Sequence, residues 1–301
     1  MMSLLAVGTL AYDSIETPSG RADEVLGGAA TYFCYAASFF GPVRLMSIVG
    51  EDFRASDREL LAGRDVDLAG VEVVPGKSFR WAGRYEGDMN VAETLDTQLN
   101  VFEDYEPTVP EAFRDSSFLF LANSPPSMQA HVLDQMPKGT FTAMDTMNLW
   151  IDTAAEDLSG VLQRVDLLII NDHEARMLAE RPTLIASGRA ILELGPQAVI
   201  VKKGEHGAFL FSREWFYAIP AFPVETIVDP TGAGDSFAGG VMGYLAQAGE
   251  VNEENMKRAM LYGSIVASFN VQDFSLRRFQ SIDRGAIETR FQEFLRFTAH
   301  P

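Results

Sequence analysis

Asp229-Pro230-Thr231-Gly232-Ala233-Gly234-Asp235-Ser236-Phe237-Ala238-Gly239-Gly240 sets a run of small residues at the start of a long apolar helical segment, 235–248. A turn of this kind at a helix start leaves backbone N–H groups free near Ala233, Gly234 and Asp235, and the helix dipole adds positive potential there. The result is an anion site that needs no basic side chain. Its glycines let a phosphate oxygen come close to the backbone. Asp235 stands at the mouth of this nest, where a negative charge opposes anion binding unless it has another task. Accepting a proton from an alcohol that attacks the bound phosphorus is such a task. The same carboxylate also reads as an ordinary first-turn acid that complements the dipole.

Upstream of this run, short apolar segments alternate with longer ones of helical spacing. SLLAVG (3–8), VRLMSIVG (43–50), SFLFLA (117–122), FTAMD (141–145), VDLLII (165–170) and AVIVKK (198–203) read as buried strands. Segments 28–40, 52–63, 127–136, 150–163 and 172–193 read as helices, the last broken at Pro182. The alternation predicts an α/β fold with a mostly parallel sheet covered by helices on both faces. GAFLFS and EWFYAIP suggest a hairpin, followed by helices at 235–248, 252–269 and 284–298.

Residues 71–103 break the pattern: three β-rich pieces separated by Gly, Asp and Asn turns, with no helix. They read as an antiparallel insertion. Phe79, Trp81, Tyr85 and Phe102 need a surface to pack on, which a flap over a pocket, a subunit interface or the body of the protein would each supply.

Composition excludes several classes of function. The chain has 301 residues, with 42 acidic against 24 basic side chains and a formal charge of −18. Its 47% hydrophobic content fits a folded protein. An acidic balance disfavours nucleic acid and anionic membranes as partners, since both are bound through clustered Lys and Arg. A single cysteine, Cys34, lies in the apolar run TYFCYAASFF and reads as a buried thiol of a reducing compartment. The N-terminus lacks a basic region ahead of its short apolar stretch, so a cytoplasmic protein is expected.

Three motifs fail on inspection. Pro75-Gly76-Lys77-Ser78 ends like a P-loop, but Val71 occupies the position of the required first glycine. Histidines 131, 173, 206 and 300 lack metal-ligand spacing. Gly8 follows the first strand without a dinucleotide-binding GxGxxG turn.

DPTGAGDSFAGG resembles the C-terminal signature of the ribokinase, or PfkB, carbohydrate kinase family, and other landmarks follow that family's order across nearly the whole chain. Gly27-Gly28, the helix to Phe40, Gly41 and Val49-Gly50-Glu51-Asp52 resemble its N-terminal glycine motif. Asn171 and Glu174 match its NxxE, although Asn-x-x-Glu directly after a strand is also a helix capping box. Gly204 and Gly207 match the glycines beside its nucleotide, and they also suit a hairpin turn. The resemblance implies one kinase domain over 1–301, a ribokinase-like three-layer αβα Rossmann-type fold. Its small β-sheet lid would be formed by about 10–18 and 71–103.

The resemblance also implies roles. Asp235 would be the catalytic base, with Gly232, Ala233 and Gly234 as the anion hole. Asp13, Gly27, Gly28 and Thr31 would meet the phosphate acceptor, with Phe79 and Trp81 as lid aromatics above it. Asn171, Lys202, Gly204, Gly207 and Thr231 would meet ATP, and Glu174 would hold Mg²⁺ through water. ATP and Mg²⁺ are thus the implied cosubstrate and cofactor, with room for a monovalent cation.

Departures from the family pattern bear on the substrate. Ala29-Ala30-Thr31-Tyr32 stands where many sugar kinases carry an asparagine, and Asp145-Thr146-Met147-Asn148-Leu149-Trp150 lacks the arginine of the family's DxNxR segment. Lys202-Lys203-Gly204 replaces the commoner Thr-Leu-Gly; on a strand the two lysines point to opposite faces, so at most one reaches the site. The aromatic lid, the GGAATY variant at 27–32 and the block DTQLNVF at 96–102 resemble the nucleoside-kinase branch. The expectation is phosphoryl transfer from ATP to the primary hydroxyl of a ribonucleoside. A sugar kinase acting on ribose, fructose or ketodeoxygluconate is the alternative within the same chemistry. A non-catalytic nucleotide or sugar sensor is the alternative outside it, as is a scaffold. A monomer and a homodimer paired through the lid both fit.

Overall fold

The computed structural model describes residues 2–87 and 89–299. In chain order the strands are β1 (Leu4–Val7), β2 (Ala11–Thr17), β3 (Gly20–Gly27), β4 (Val43–Gly50), β5 (Val66–Val74), β6 (Phe79–Tyr85) and β7 (Ala92–Gln98). They continue with β8 (Phe118–Leu121), β9 (Phe141–Met144), β10 (Leu167–Asn171), β11 (Ala198–Lys202), β12 (Ala208–Ser212) and β13 (Phe216–Ile219). The helices begin with α1 (Ala29–Ala37), α2 (Ala55–Ala62), α3 (Pro126–Gln135), α4 (Asn148–Thr153), α5 (Ala155–Leu162) and α6 (Asp172–Ala179). After them come α7 (Leu184–Leu192), α8 (Ala233–Ala248), α9 (Glu253–Asn270), α10 (Arg277–Gln280) and α11 (Arg284–Thr298).

Nine strands form the central sheet in the order β13-β12-β11-β10-β9-β8-β1-β4-β5. From β11 to β5 every pairing is parallel, and the β12–β13 hairpin closes one edge antiparallel. Side chains on alternate positions go to opposite faces, which is why the strands are apolar throughout rather than alternating. On one face Leu4, Ala6, Phe120, Ile169 and Ile200 pack with Tyr32, Val241, Ile265 and Phe291 of α1, α8, α9 and α11. On the other, Leu5, Val7, Leu168, Ile170 and Val199 pack with Val132, Leu158, Ala175 and Ile191 of α3, α5, α6 and α7. The expected α/β architecture is therefore present, as is the break around Pro182 between α6 and α7.

The segment expected as one helix over 150–163 is two, α4 and α5, separated at Ala154, which takes a non-helical φ of −136°. The small sheet also differs from expectation. Its order is β3-β2-β6-β7, so residues 20–27 supply a strand that the sequence reading left out. Residues 71–74 belong instead to β5 in the main sheet, and a 3₁₀ turn at Asn100–Phe102 ends the insertion. Its two hairpins are joined by parallel pairing of β2 with β6, Asp13 opposite Trp81.

This sheet is tied to the body just before β6. Ser78 donates from its backbone N and from Oγ to Oδ1 of Asp52, both at 2.8 Å, and Ser78 Oγ accepts from the Gly50 N–H at 3.1 Å. Arg80 then pairs with Oδ2 of Asp52 at 2.8 Å and with Glu24 of β3 at 3.1 Å.

Candidate active site

The carboxyl ends of the parallel strands are where an open α/β sheet presents side chains to a ligand. Asp145 follows β9, Asn171 ends β10 and Lys202 ends β11. Asn171 and Lys202 are paired in register, so both arrive at one level. The N-terminus of α8 faces them. A recess of about 500 Å³ at the amino-terminal ends of the strands, around Met2, Ser116 and Phe141, lacks this convergence of titratable groups.

Gly232 caps α8 with φ of +73°, a left-handed conformation that side-chain-bearing residues rarely take. The turn before it is pinned from several sides. Asp229, 1% exposed, accepts from the Thr231 N–H at 2.9 Å, and Asn270 of α9 donates to the Thr231 carbonyl at 2.7 Å. The Ala233 N–H donates to the Pro230 carbonyl at 3.1 Å and so is not free, contrary to the sequence reading. The N–H groups of Gly234 and Asp235 have no main-chain acceptor among the described residues, which narrows the anion nest to these two.

Lys202 reaches this nest: its Nζ lies 2.6 Å from where a Cβ on Gly234 would stand. Lys203 turns the other way, onto the ring of Phe209 at 3.7 Å. Burial raises the pKa of Asp235; Lys202 opposes the rise and Glu174 adds to it. Asp145 is buried with one carboxyl oxygen unpaired among the described residues. Burial first, then the charge of Asp235, raises its pKa well above the usual range, while Lys202 again opposes. Asn171 and Glu174 form the capping box in full, each side chain bonded to the other's backbone N–H at 2.8 Å. Burial raises the pKa of Glu174, with Lys202 the main opposing influence.

Across from Asp235 lies Asp13 of β2, 4% exposed. Its Oδ2 sits 1.9 Å from where a Cβ on Gly27 would be, so a side chain there would displace the Asp13 carboxyl, which accepts from the Gly28 N–H at 3.4 Å. Burial pushes its pKa up to about 7, the Gly28 N–H works against this, and the charges of Asp229 and Asp235 reinforce it. Thr31 turns its hydroxyl onto the Gly27 carbonyl at 2.5 Å. The next residue, Tyr32, lays its ring on Gly232.

The lid aromatics divide. Phe79 packs edge-on to Phe102, centroids 6.1 Å apart, against the core of the main sheet. Trp81 covers Gly83 on the inner lid face and belongs with Ile15, Ala22 and Phe274. Tyr85 accepts from the Thr231 hydroxyl at 3.3 Å, and at the lid tip Asn90 Oδ1 lies 2.5 Å from where a Cβ on Gly204 would stand. Gly204 and Gly207 bracket a 3₁₀ turn after β11, with φ of +53° and +86°.

The structure thus brings Asp13, Gly27, Gly28, Gly232, Gly234, Asp235, Lys202, Asn171 and Glu174 to one end of the sheet. Tyr32, Tyr85, Asn90 and Asp145 join them without having been singled out as site residues from the sequence. For Asp145 the signals were its place, an acid at the end of a buried strand, and its position at the head of the segment that resembles the family's DxNxR. Three acids, Asp145, Glu174 and Asp235, face one ammonium, so a polyphosphate needs a further cation to settle here. No cluster of three or more metal-ligating side chains forms a ready cage among the described residues. The carboxylates of Asp145 and Glu174 are hard oxygen donors of the kind Mg²⁺ takes beside waters and substrate phosphates.

This fold and this arrangement are those of a small-molecule kinase. The chain belongs to the pfkB family of carbohydrate kinases, whose model matches residues 2–282. It is 29% identical over 249 residues to the cytidine kinase of Thermococcus kodakarensis, covering 80% of this chain and 88% of that one. It is 30% identical over 290 residues to the nucleoside kinase of Methanothermobacter thermautotrophicus, covering 90% and 89%. Arabidopsis thaliana ribokinase, solved with ribose and ATP, shares the fold at a TM-score of 0.78 and 19% identity, covering 97% of this chain and 99% of that one. The protein is a nucleoside or sugar kinase of this family, a phosphotransferase with a hydroxyl acceptor. Among the described residues no helix is long and apolar enough to cross a membrane.

Proposed function

We propose that the protein transfers the γ-phosphoryl group of ATP to the primary hydroxyl of a ribonucleoside. The observation that carries this reading is the placement of Asp235 between the free N–H groups at the start of α8 and the acceptor pocket lined by Asp13. In that place its carboxylate takes the proton of the attacking hydroxyl, while the Gly234 and Asp235 N–H groups and Lys202 hold the phosphoryl oxygens. Glu174, with Asp145 beside it, would hold Mg²⁺ through water, and the ion would supply neutralisation of the nucleotide's charge. Asp13 accepts from an acceptor hydroxyl, held in place by the Gly28 N–H. The lid excludes water, which would otherwise compete as acceptor.

The nucleoside as acceptor is supported by the names of the two relatives and by Trp81 and Tyr85 on the inner lid face. Ribose is the second candidate, favoured by the fold shared with a ribokinase and by Phe79 turning toward the core, which leaves fewer rings for a base. An assay of ATP consumption with cytidine, inosine, adenosine, ribose and fructose separates the two. Turnover of a free sugar with no nucleoside activity overturns the nucleoside assignment.

A further inference from the structure

Gln129 of α3 is 1% exposed, and its side-chain amide lies among main-chain carbonyls. Its Nε2 donates to the carbonyl of Asp145 at 3.2 Å, of Ala122 at 3.3 Å and of Leu121 at 3.4 Å. Three acceptors gathered at one end of the amide mark that end as the NH₂ group. Its Oε1 has no partner among the described residues. An apolar side chain would fill this place without burying an unpaired oxygen, so what the nitrogen holds has to outweigh that cost.

The carbonyls belong to the place where β8 and β9 part. Their parallel register ends with Leu121 opposite Met144, one residue before Ala122 and Asp145. Past that point the ladder supplies no partners, and each carbonyl has to find one elsewhere. The Asp145 N–H still reaches the Leu121 carbonyl at 3.2 Å, so both main-chain polar groups of Asp145 are bound by the β8–α3 corner. The stretch that follows is tied to the same corner. Asn123 accepts from the Trp150 indole at 3.0 Å and donates to the Met147 sulfur at 3.2 Å. The Asp145 carboxyl keeps a buried, unpaired Oδ1 at the end of the sheet to which β10 and β11 bring Asn171 and Lys202.

We infer that Gln129 is a positioning residue for phosphoryl transfer: by holding the Asp145 carbonyl from behind, it sets where the Asp145 carboxyl stands for the nucleotide's Mg²⁺. The inference rests on the metal side of the site proposed above and not on the choice of acceptor. Gln129 acts through Asp145 and is too deeply buried to meet the nucleotide itself. Without its amide, the carbonyls of Leu121, Ala122 and Asp145 lose this donor. The chain at 145 then turns toward other partners and carries the carboxyl with it.

Gln129→Met tests this, since methionine has about the same length and volume and lacks both N–H donors. A non-hydrolysable ATP analogue is titrated calorimetrically without metal and with saturating Mg²⁺, and the ratio of the two affinities is the gain from the metal. That gain is expected to be about tenfold smaller in Gln129→Met than in wild type, the lower end of the range for partners that orient a metal-binding group. Affinity without metal stays that of wild type. In an Asp145→Ala background, adding Gln129→Met changes the gain no further, because the carboxyl it acts through is gone. A merely structural role moves neither the gain nor this coupling. Gln129→His keeps one N–H at the reach of the amide nitrogen, and a gain about threefold below wild type is expected from the lost second donor; it carries the test if Gln129→Met does not melt cooperatively. A gain equal to that of wild type in the folded variants overturns the inference. So does an equal loss of affinity with and without Mg²⁺, or a further loss of gain in the Asp145→Ala background. Wild-type protein that gains nothing from Mg²⁺ removes the metal assignment of Asp145 and Glu174, and the inference with it. Failure of every nucleoside in the ATP-consumption assay removes the nucleoside assignment alone, because no acceptor enters these titrations.

Discussion

The ammonium of Lys202, at the end of β11, rests on Gly234, the second residue of α8, with Nζ 2.6 Å from where a Cβ on that glycine would stand. A strand end and a helix start are thereby held in contact by one flexible side chain. In a chain of charge −18, this contact and the free N–H groups beside it concentrate positive potential at one point. Net charge therefore said nothing about phosphate handling.

Lys202→Met is expected to raise KM for ATP about 10- to 100-fold, the range for losing a hydrogen bond to a charged group. Removing the cation also favours the protonated form of Asp235, so the acid limb of the pH profile of kcat moves to higher pH. Initial rates across pH for the variant and wild type check both effects; an unmoved limb with an unchanged KM would place Lys202 outside the site.

Asp235→Asn keeps the size of the side chain and loses the proton acceptor. Turnover is expected to fall by about 10²–10⁴-fold, the range for general base catalysis. Acceptor and ATP-analogue affinities should remain within a few-fold of wild type by calorimetry. Wild-type turnover in the variant would remove Asp235 from the role of base.

Asp13 links the site to stability. Its carboxyl is raised from 3.8 to about 7 by burial, so between those values the folded protein holds a proton that the unfolded chain has released. Stability consequently falls as pH rises through that interval, and Asp229, raised to about 6, adds a contribution of the same sign. The ligand-free protein should melt higher at about pH 6 than at about pH 8, and Asp13→Asn should gain stability at the higher pH and narrow the difference. Thermal melts of both proteins at the two pH values decide it; an identical pH dependence in the two would show that Asp13 does not contribute.

Ser78→Ala removes the hydroxyl that bridges Asp52 and Gly50 where the lid leaves the body. A loss of about 1–3 kcal/mol is expected from leaving the buried Gly50 N–H unpaired. Limited proteolysis in the lid turn between β6 and β7 should quicken while acceptor KM rises. A cleavage rate equal to wild type would mean that this contact does not restrain the lid.

Most of the main sheet was legible because its strands are apolar on both faces and bounded by turn residues. β3 was not: only Ala22, Leu26 and Gly27 of GRADEVLG are buried, so its composition is that of a surface loop. Only pairing with β2 makes it a strand. The nest at α8 was visible because small residues before an apolar helix have few other uses. That Ala233 gives its N–H to Pro230 was not, since it depends on the pinning of the turn by Asn270, 39 residues away from Thr231. Tyr32 stood in the sequence as part of the departure after the glycine pair; that its ring packs on Gly232 depends on α1 meeting α8 and could not be read there.

Parallel pairing of β2 with β6 means that the lid has no continuous sequence. Its hairpins come from opposite sides of α1, β4, α2 and β5, and neither has its full set of neighbours until that intervening stretch has folded. The pairing is long-range, so the lid should be among the last parts of the molecule to assemble. It also cannot be excised or transplanted as a cassette: cutting out 75–103 would leave the β2–β3 hairpin with an open edge beside Asp13, a ready template for another chain.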